Sequence, residues 1–348
     1  MIAIRRRYWQ CRCGRPGSYA VDELLGLEGR FSRVLQKHCC RLAADTSFAA
    51  TSEHLRELLG VRVAAESVRT LVESHGRAMV KFQPEDAVTA QAFVRASGEV
   101  EFAVDAAKVN TREEGWKDLK IAVISKRERG RPCRPEEFEG QRLPEPKMVL
   151  SFAMIAGAKA FRRSWRLLLR RLGVTEFAGV HVLGDGAAWI WKSVQRSLTG
   201  CTQTLDFYHA CEHVARCAER IFGEGTVAKA EAFERGRGLL LAHGWSGVCQ
   251  WVSELLAVED EAERERRRLA TDKLIGYFQG HVGRLNYAVR LAEGRAIGSG
   301  VVEGQAKTLG LRLKRRGARW SRRNVPAMAS LVCVRHCPQW HAYWSLAT

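Results

Sequence analysis

The chain has 348 residues, of which 46% are hydrophobic and 27% charged, so two or three domains with a sizeable core are expected and wholesale disorder is excluded. Its 56 Lys and Arg against 38 Asp and Glu give a net charge of +18, which is too large for a typical cytosolic metabolic enzyme and indicates a polyanionic partner, first of all nucleic acid. No apolar run reaches the roughly 18 residues of a membrane span, and the N-terminus lacks the apolar core of a signal peptide. We therefore expect a cytoplasmic protein with no membrane partner.

Residues 1–30 form a basic N-terminal segment with a partial zinc-ribbon pattern. Cys11 and Cys13 lie in YWQCRCG, but no second cysteine pair at zinc spacing lies nearby. Zinc is therefore not expected, and the eleven cysteines are predicted to be reduced thiols that lie mostly in the core.

Residues 31–85 are predicted to be helical, with two short helices around a GVRV turn. An apolar face at helical spacing ends at Gly60, and a second helix is expected from about Ala65 to Gly76. The pair is either a DNA-binding helix-turn-helix or an αα-hairpin that only packs. The side chains that would face a DNA groove in the first case are Glu66, Ser67, Arg69 and Thr70.

Residues 98–208 have the pattern of a mixed α/β sheet. EVEFAVDAAKV, GWKDLKIAVIS and KMVLSFAMIAG predict an antiparallel meander whose first strand stops at Asp105. A basic amphipathic helix is expected over residues 159–172, then a strand in GVHVLGD, a helix, and a strand in TQTLDFYH. Asp185 follows the fourth strand between two glycines, where it is either a turn residue or part of a site at the end of a strand.

Residues 209–295 are predicted to be an all-helical insertion, and residues 296–348 to return to the core with a basic helix and a tail. Glu303 lies in the first turns of the helix that follows IGSG. In an RNase H-like fold the strands before Asp105 and Asp185 are neighbours, so their carboxylates converge and Glu303 would be a third acid. Carboxylate oxygens are the ligands that Mg²⁺ and Mn²⁺ prefer, and two such ions serve phosphoryl transfer.

Five stretches carry a more specific signal: VDAAKVNTREEGWKDLKIAVI, VLGDGAAWIW, LDFYHACEH, IGSGVVEGQAK and LKRRGARWS. Together, and in this order, they resemble bacterial insertion-sequence transposases of the ISKra group, which are Mutator-like DDE enzymes. The resemblance runs from about residue 5 to residue 344. It implies an RNase H-like core with a helical insertion before the last acid, two Mg²⁺ or Mn²⁺ ions, and Asp105, Asp185 and Glu303 as catalytic metal ligands.

The stretch from Asp206 to His209 resembles the D/C-x-x-H element that these transposases carry after the second acid. That likeness implies that Asp206 and His209 position the scissile phosphate or support the site, while a hydrogen-bonded structural role for His209 is equally open. His213 lacks a third ligand for zinc and is expected to be structural. The family usually has a longer N-terminal region with cysteine pairs, so we expect either weakened recognition of the element ends or a shortened copy of the element's protein.

A basic cluster follows Glu303 and is expected to hold DNA phosphates near the metals, because so many like charges repel without a polyanion. The alternative is a solvated basic helix end that the helix dipole favours. Trp189 and Trp191 are expected in the core, whereas Trp320 is the better candidate for stacking on a flipped base. The residues predicted to bind DNA are Lys307, Arg312, Lys314, Arg315, Arg316, Arg319, Trp320 and Arg69.

The expected function is a transposase that binds the terminal inverted repeats of its element and catalyses metal-dependent cleavage and strand transfer of double-stranded DNA. Handling two DNA ends implies at least a dimer on DNA, and the expected place is the bacterial nucleoid. Two alternatives remain open: a non-catalytic DNA-binding protein derived from a transposase, and a structure-selective nuclease of the same fold.

Overall fold

A five-stranded mixed sheet lies at the centre of the computed structural model, which describes residues 7–10, 12–13, 17, 19–24, 27–28 and 31–345. A separate pair of two-residue strands precedes it. The strands are β1 (Leu27–Glu28), β2 (Phe31–Ser32), β3 (Glu99–Thr111), β4 (Gly115–Arg127), β5 (Met148–Met154), β6 (Val180–Gly184) and β7 (Thr202–Leu205). Cys11 of the predicted half-ribbon lies outside the described residues.

The sheet has the order β5-β4-β3-β6-β7, with β5, β4 and β3 antiparallel and β3, β6 and β7 parallel. The antiparallel meander and the two later strands are thus confirmed. The prediction that the first strand stops at Asp105 is wrong, because β3 continues to Thr111 against β4. Only the pairing of β3 with β6 ends before Asp105, at Val104 and Gly184.

Helices from both ends of the chain cover one face of the sheet. A shared apolar core there contains Leu55, Val72, Ala103, Val123 and Leu331. The N-terminal helices are α1 (Ala20–Leu24), α2 (Arg33–Asp45), α3 (Phe48–Leu59) and α4 (Ala65–Phe82), and they are followed by α5 (Ala87–Arg95), whose Phe93 is buried in the core of the other face. The C-terminal helices are α13 (Gly300–Leu313), α14 (Val325–Arg335) and α15 (Gln339–Ser345).

The predicted helix pair is present as α3 and α4, with Gly60 in the left-handed region (φ 65°) at the end of α3. The predicted end of the second helix at Gly76 is wrong, since α4 continues to Phe82. Gly76 is a packing residue: a Cβ atom there would lie 2.4 Å from the carbonyl oxygen of Ala327 in α14. The glycine therefore allows close approach of two helices and ends neither of them.

The second face carries the remaining helices over a core that includes Phe102, Val104, Trp165 and Phe278. Two of them, α6 (Ala158–Arg171) and α7 (Ala188–Ser197), alternate with the strands, and the five that follow form the predicted helical block. These five are α8 (Phe207–Phe222), α9 (Val227–His243), α10 (Trp245–Leu256), α11 (Glu261–Gln279) and α12 (Tyr287–Ala292).

Short 3₁₀ helices at Pro135–Gly140 and Val282–Arg284 complete the described elements. The loop after β4 is tied to the end of the helical block, because the backbone N–H of Gly130 donates to the carbonyl of Gly294 at 2.8 Å. Among the described cysteines none forms a disulfide, and six are buried, as expected for core thiols. No helix within the described ranges is long and apolar enough to cross a membrane.

Candidate functional site

Three aspartates follow directly after the last paired residues of three neighbouring parallel strands. Asp105 and Asp185 follow the pair formed by Val104 of β3 and Gly184 of β6. Asp206 follows Leu205 of β7, and its backbone N–H donates to the carbonyl of Gly184 at 2.8 Å. Because the carboxyl ends of parallel strands meet at one edge of a sheet, this is where α/β sheets hold their sites.

Backbone N–H groups hold one oxygen of each of the first two carboxylates. The Oδ1 atom of Asp105 accepts from the N–H of Ala106 at 2.6 Å, and the Oδ1 atom of Asp185 accepts from the N–H of Ala187 at 2.9 Å. The carbonyl of Asp185 also accepts from Nε1 of Trp191 at 2.7 Å. Asp185 is therefore a turn residue just before α7.

The pKa of Asp105 is affected by the other two predicted acids. Burial raises the pKa of Asp105 most, and the negative charges of Asp185 and Glu303 raise it further, against the lowering by the N–H of Ala106. A smaller lowering of the pKa of Asp105 comes from His209. The structure thus brings the three predicted acids and His209 into one electrostatic neighbourhood.

Glu303 is held by Ser299, which begins α13 and also binds Asp206. The hydroxyl Oγ of Ser299 lies 2.7 Å from Oδ2 of Asp206 and 3.1 Å from Oε1 of Glu303, and the backbone N–H of Ser299 donates to Asp206 as well. Burial raises the pKa of Glu303, and the charge of Asp206 raises it further. One hydroxyl has one proton, so the closer Asp206 is the better-bound carboxylate.

Asp206 is a structural anchor in this arrangement. Its side chain is 1% exposed, and its Oδ1 atom caps α8 by accepting from the N–H of His209 at 2.7 Å. Its other oxygen binds Ser299, so it joins the start of the helical block to the turn that carries Glu303. Of the two roles expected for Asp206, positioning the scissile phosphate or supporting the site, these hydrogen bonds favour the second.

The chemistry of the donor set fits a divalent ion, since all three acids offer hard carboxylate oxygens and the charges of Asp185 and Glu303 raise the pKa of Asp105. Within the part of the chain that the structure describes, however, no three His, Cys, Asp or Glu side chains already form a group that could hold a metal.

Side chains of the helical block line the region behind Asp185. Tyr277 of α11 stacks on His213 of α8 with ring centroids 3.5 Å apart, and its hydroxyl would clash with a Cβ atom at Gly186. Burial lowers the pKa of His213 to about 4, so its ring is neutral at pH 7. This packing agrees with the structural role expected for His213, and it explains why glycine follows Asp185.

Five of the eight residues predicted to bind DNA are exposed near the end of α13. They are Lys307, Lys314, Arg315, Arg316 and Arg319. Glu303 and Lys314 are eleven residues apart, which is about 16 Å along a helix or roughly five base pairs of DNA. The structure leaves these cations exposed, and their contact with DNA phosphates stays a prediction.

Two predicted DNA contacts are wrong, because Arg312 and Trp320 are only 4% and 8% exposed. The Nε atom of Arg312 donates to the carbonyl of Ala43 at 2.6 Å, and its guanidinium lies over the rings of Phe48 and Trp320 at 4.8 Å each. Nε1 of Trp320 donates to the carbonyl of Leu313 at 3.0 Å. Both side chains join α13 to the N-terminal helices and are not available to DNA.

Arg69 lies on α4 with its side chain 41% exposed, in ion pairs with Glu66 and Glu73. Val68, Val72 and the rest of the buried side of α4 pack in the core shared with α14. The helix pair is thus packed on the sheet's own core, and its DNA contact stays a prediction. Trp191 is 3% exposed and Trp189 packs on the core, as expected for these two.

Two residues of the site were not identified from the sequence. Ser299 was visible as a serine between two glycines before a helix, which is a typical start of a helix, but its bond to Asp206 joins residues 93 positions apart. Tyr277 carries no local signal, because its contact with Gly186 arises from how the helical block folds back. No protein-family model matches the sequence, and comparison with curated proteins finds no significant match.

Proposed function

We propose that this chain is a DDE transposase with an RNase H-like core, which binds double-stranded DNA at the ends of its element and cleaves and transfers DNA strands. The observation that carries the proposal is the placement of Asp105 and Asp185 directly after the last pair of two adjacent parallel strands. The raised pKa of Asp105, to which Asp185 and Glu303 contribute, adds support.

Asp105, Asp185 and Glu303 would hold two Mg²⁺ or Mn²⁺ ions, which when bound supply the activation of the attacking oxygen and the stabilisation of the leaving oxygen. The backbone N–H groups of Ala106 and Ala187 orient the two aspartates. Ser299 binds Asp206 more closely than Glu303, at 2.7 against 3.1 Å, so Glu303 is the acid that can turn toward the reacting phosphate.

His209 begins the helical block beside Asp105 and is the candidate for positioning the scissile phosphate. Its side chain is 34% exposed, and its Nδ1 atom lies 3.6 Å from Glu212. The exposed cations at the end of α13 would hold the duplex by its phosphates. A reaction on two element ends needs at least a dimer on DNA, and a nucleoid location follows from the same partner.

The test is cleavage of labelled DNA that carries the element's ends, with Mg²⁺ or Mn²⁺, by the wild type and by Asp105→Asn, Asp185→Asn and Glu303→Gln. Each substitution removes a charge that the ions need, so we expect cleavage to fall at least 100-fold while DNA binding is kept. The matched control is Asp118→Asn, an exposed aspartate of β4 paired with Lys108.

Cleavage retained by any of the three variants would remove that residue from the site. DNA binding without cleavage by the wild type would instead favour the non-catalytic alternative, and cleavage without preference for element ends would favour the structure-selective nuclease.

A further inference from the structure

Four cationic side chains form one line along the exposed side of α6. They are spaced at i, i+4, i+7 and i+11, which places them on one face of a helix. The four, which we call the α6 stripe, are Lys159, Arg163, Arg166 and Arg170. All are exposed, and α6 contains no acidic residue in its 14 positions. Among the described residues, no carboxylate oxygen lies within 4.0 Å of their nitrogen atoms.

The opposite side of α6 is fixed in the core. Phe161, Trp165 and Leu169 are 0% exposed, and the ring of Trp165 contacts that of Phe102 in β3 edge to face at 5.2 Å. A basic amphipathic helix that binds a membrane surface needs its apolar side free. In this protein the apolar side is already used, so a lipid surface is not the partner that α6 fits.

The α6 stripe does not serve the fold. Like charges at i and i+4 destabilise a helix, and the core contacts of α6 do not involve the stripe. In α11, by contrast, Arg264, Arg266 and Arg268 each lie within 4.0 Å of a glutamate of the same helix. The two helices have similar numbers of cations, but no cation of α6 lies within 4.0 Å of a carboxylate oxygen of the described chain, whereas four arginines of α11 do.

The start of α6 lies at the edge of the sheet that holds the acids. Asp105 pairs with Ile121 of β4, and Ile121 pairs with Ala153, the last residue but one of β5, after which α6 begins. The adjacent helix α7 adds the exposed cations Lys192 and Arg196. The basic surface therefore starts near the candidate site and extends away from it.

We propose that the α6 stripe binds the phosphate backbone of a DNA duplex, as a second DNA surface separate from the cations at the end of α13. The stripe spans eleven residue steps, or about 16 Å, and one DNA strand carries a charge per about 3.4 Å of the duplex axis. Contacts of this kind hold the duplex and read no sequence. The choice of DNA as the polyanion rests on the proposed function.

The test compares two triple variants that remove the same charge from the two helices: Arg163→Gln/Arg166→Gln/Arg170→Gln in α6, and Arg264→Gln/Arg266→Gln/Arg268→Gln in α11. Binding to a labelled 30-base-pair duplex of mixed sequence is measured by fluorescence anisotropy from 50 to 200 mM salt. The logarithm of the affinity falls linearly with the logarithm of the salt concentration, and each lost phosphate contact makes this slope less steep by about 0.9. We expect the α6 variant to lose about 2 to 3 in slope, and the α11 variant less than 1.

A third variant, Arg163→Lys/Arg166→Lys/Arg170→Lys, keeps the charge and is expected to keep the wild-type slope, which separates lost contacts from misfolding. Equal slopes for the two Gln triples would overturn the proposal and leave the proposed function standing. Loss of binding to vesicles containing phosphatidylserine, with an unchanged DNA slope, would assign the stripe to a membrane and also overturn it. A wild type that binds no duplex at all would overturn the proposed function together with this surface.

Discussion

Two arginine-rich helices on the same face of the sheet, α6 and α11, differ in whether their cations form ion pairs. In α11 the glutamates at 261, 263 and 265 alternate with arginines and pair with them at three or four residues' distance. In α6 six cations stand without any acid. The arginines of α11 are thus paired within the helix, while the cations of α6 have no carboxylate partner among the described residues.

A similar contrast in ion pairing separates Asp105 of the candidate site from Glu99 at the start of β3. Glu99 binds Arg295 and Arg129, which lower its pKa to about 2 against the effect of burial. Asp105 has no cationic hydrogen-bond partner among the described residues, and its pKa is raised. Glu99 is thus an acid that is paired within the chain, whereas the charge of Asp105 has no such cationic partner among the described residues.

The largest effect is expected from the buried side of α6. Trp165→Ala removes a side chain that is 0% exposed and contacts Phe102 and Phe161, so it should lower the free energy of unfolding by about 3–5 kcal/mol. Urea denaturation measures this, with Trp165→Phe as the smaller change. A loss below 1 kcal/mol would mean that the core contacts of α6 do not hold the helix. The distinction between a buried side that stabilises the fold and a cationic side that does not would then be wrong.

A pH-dependent effect is expected next, at Asp105. Its folded pKa lies above the unfolded one, so the wild type loses stability as pH rises through these values. Asp105→Asn should therefore be more stable than the wild type at pH 7, with the difference closing as pH falls toward 4.

The matched control has the opposite sign. A hydrogen bond from Lys108 lowers the pKa of Asp118, so Asp118→Asn should be less stable than the wild type at pH 7, and that difference should also close on acidification. Thermal melts from pH 8 to about pH 2 follow both variants, because the Asp118 difference closes only below the ordinary pKa of an aspartate, about 4. A destabilised Asp105→Asn at pH 7 would contradict the account of an uncompensated charge.

A smaller loss in the free energy of unfolding is expected from a substitution in α11. Arg267 of α11 pairs with Glu263 at 2.7 Å and donates to the carbonyl of Leu255 in α10 at 3.0 Å, with its side chain 17% exposed. Arg267→Gln should lower the free energy of unfolding by about 1 kcal/mol, because these hydrogen bonds are lost. Urea denaturation at low and high salt would show the loss shrinking as salt screens the pair.

The smallest effect has the reverse sign and lies in α6. Arg166→Gln relieves like-charge repulsion with Arg163 and Arg170, so it should raise the free energy of unfolding by about 0.2–0.5 kcal/mol at low salt. Arg166→Lys keeps the charge and should change little. If Arg166→Gln were as destabilising as Arg267→Gln, the two helices would not differ in the way described.

The order and type of the sheet elements could be predicted because each strand is a short run of apolar or alternating residues. The ends of helices and strands could not be predicted where a residue's role depends on a partner far away in the sequence. Gly76 has the signature of a helix end, yet its contact is with Ala327 in α14, 251 residues further on. Asp105 has the signature of a strand end, but β4 continues to pair with β3 beyond it.

At the candidate site, Asp105 and Asp185 could be predicted because each follows a run of residues with the local pattern of a strand. Arg312 and Trp320 were assigned to DNA from the basic stretch around them, yet their partners Ala43 and Phe48 lie in the N-terminal helices. The paired state of α11 and the unpaired state of α6 could be predicted, since both depend on spacing within one helix.

The most direct test of the account is the number of Mn²⁺ ions that the protein binds in the presence of a short duplex with the element's end, measured by electron paramagnetic resonance. We expect two ions per chain for the wild type and the loss of at least one with Asp185→Asn, whereas Asp118→Asn should bind as many ions as the wild type. Equal binding by the wild type and Asp185→Asn, or none by the wild type, would contradict the assignment of the acids at the strand ends to a metal site.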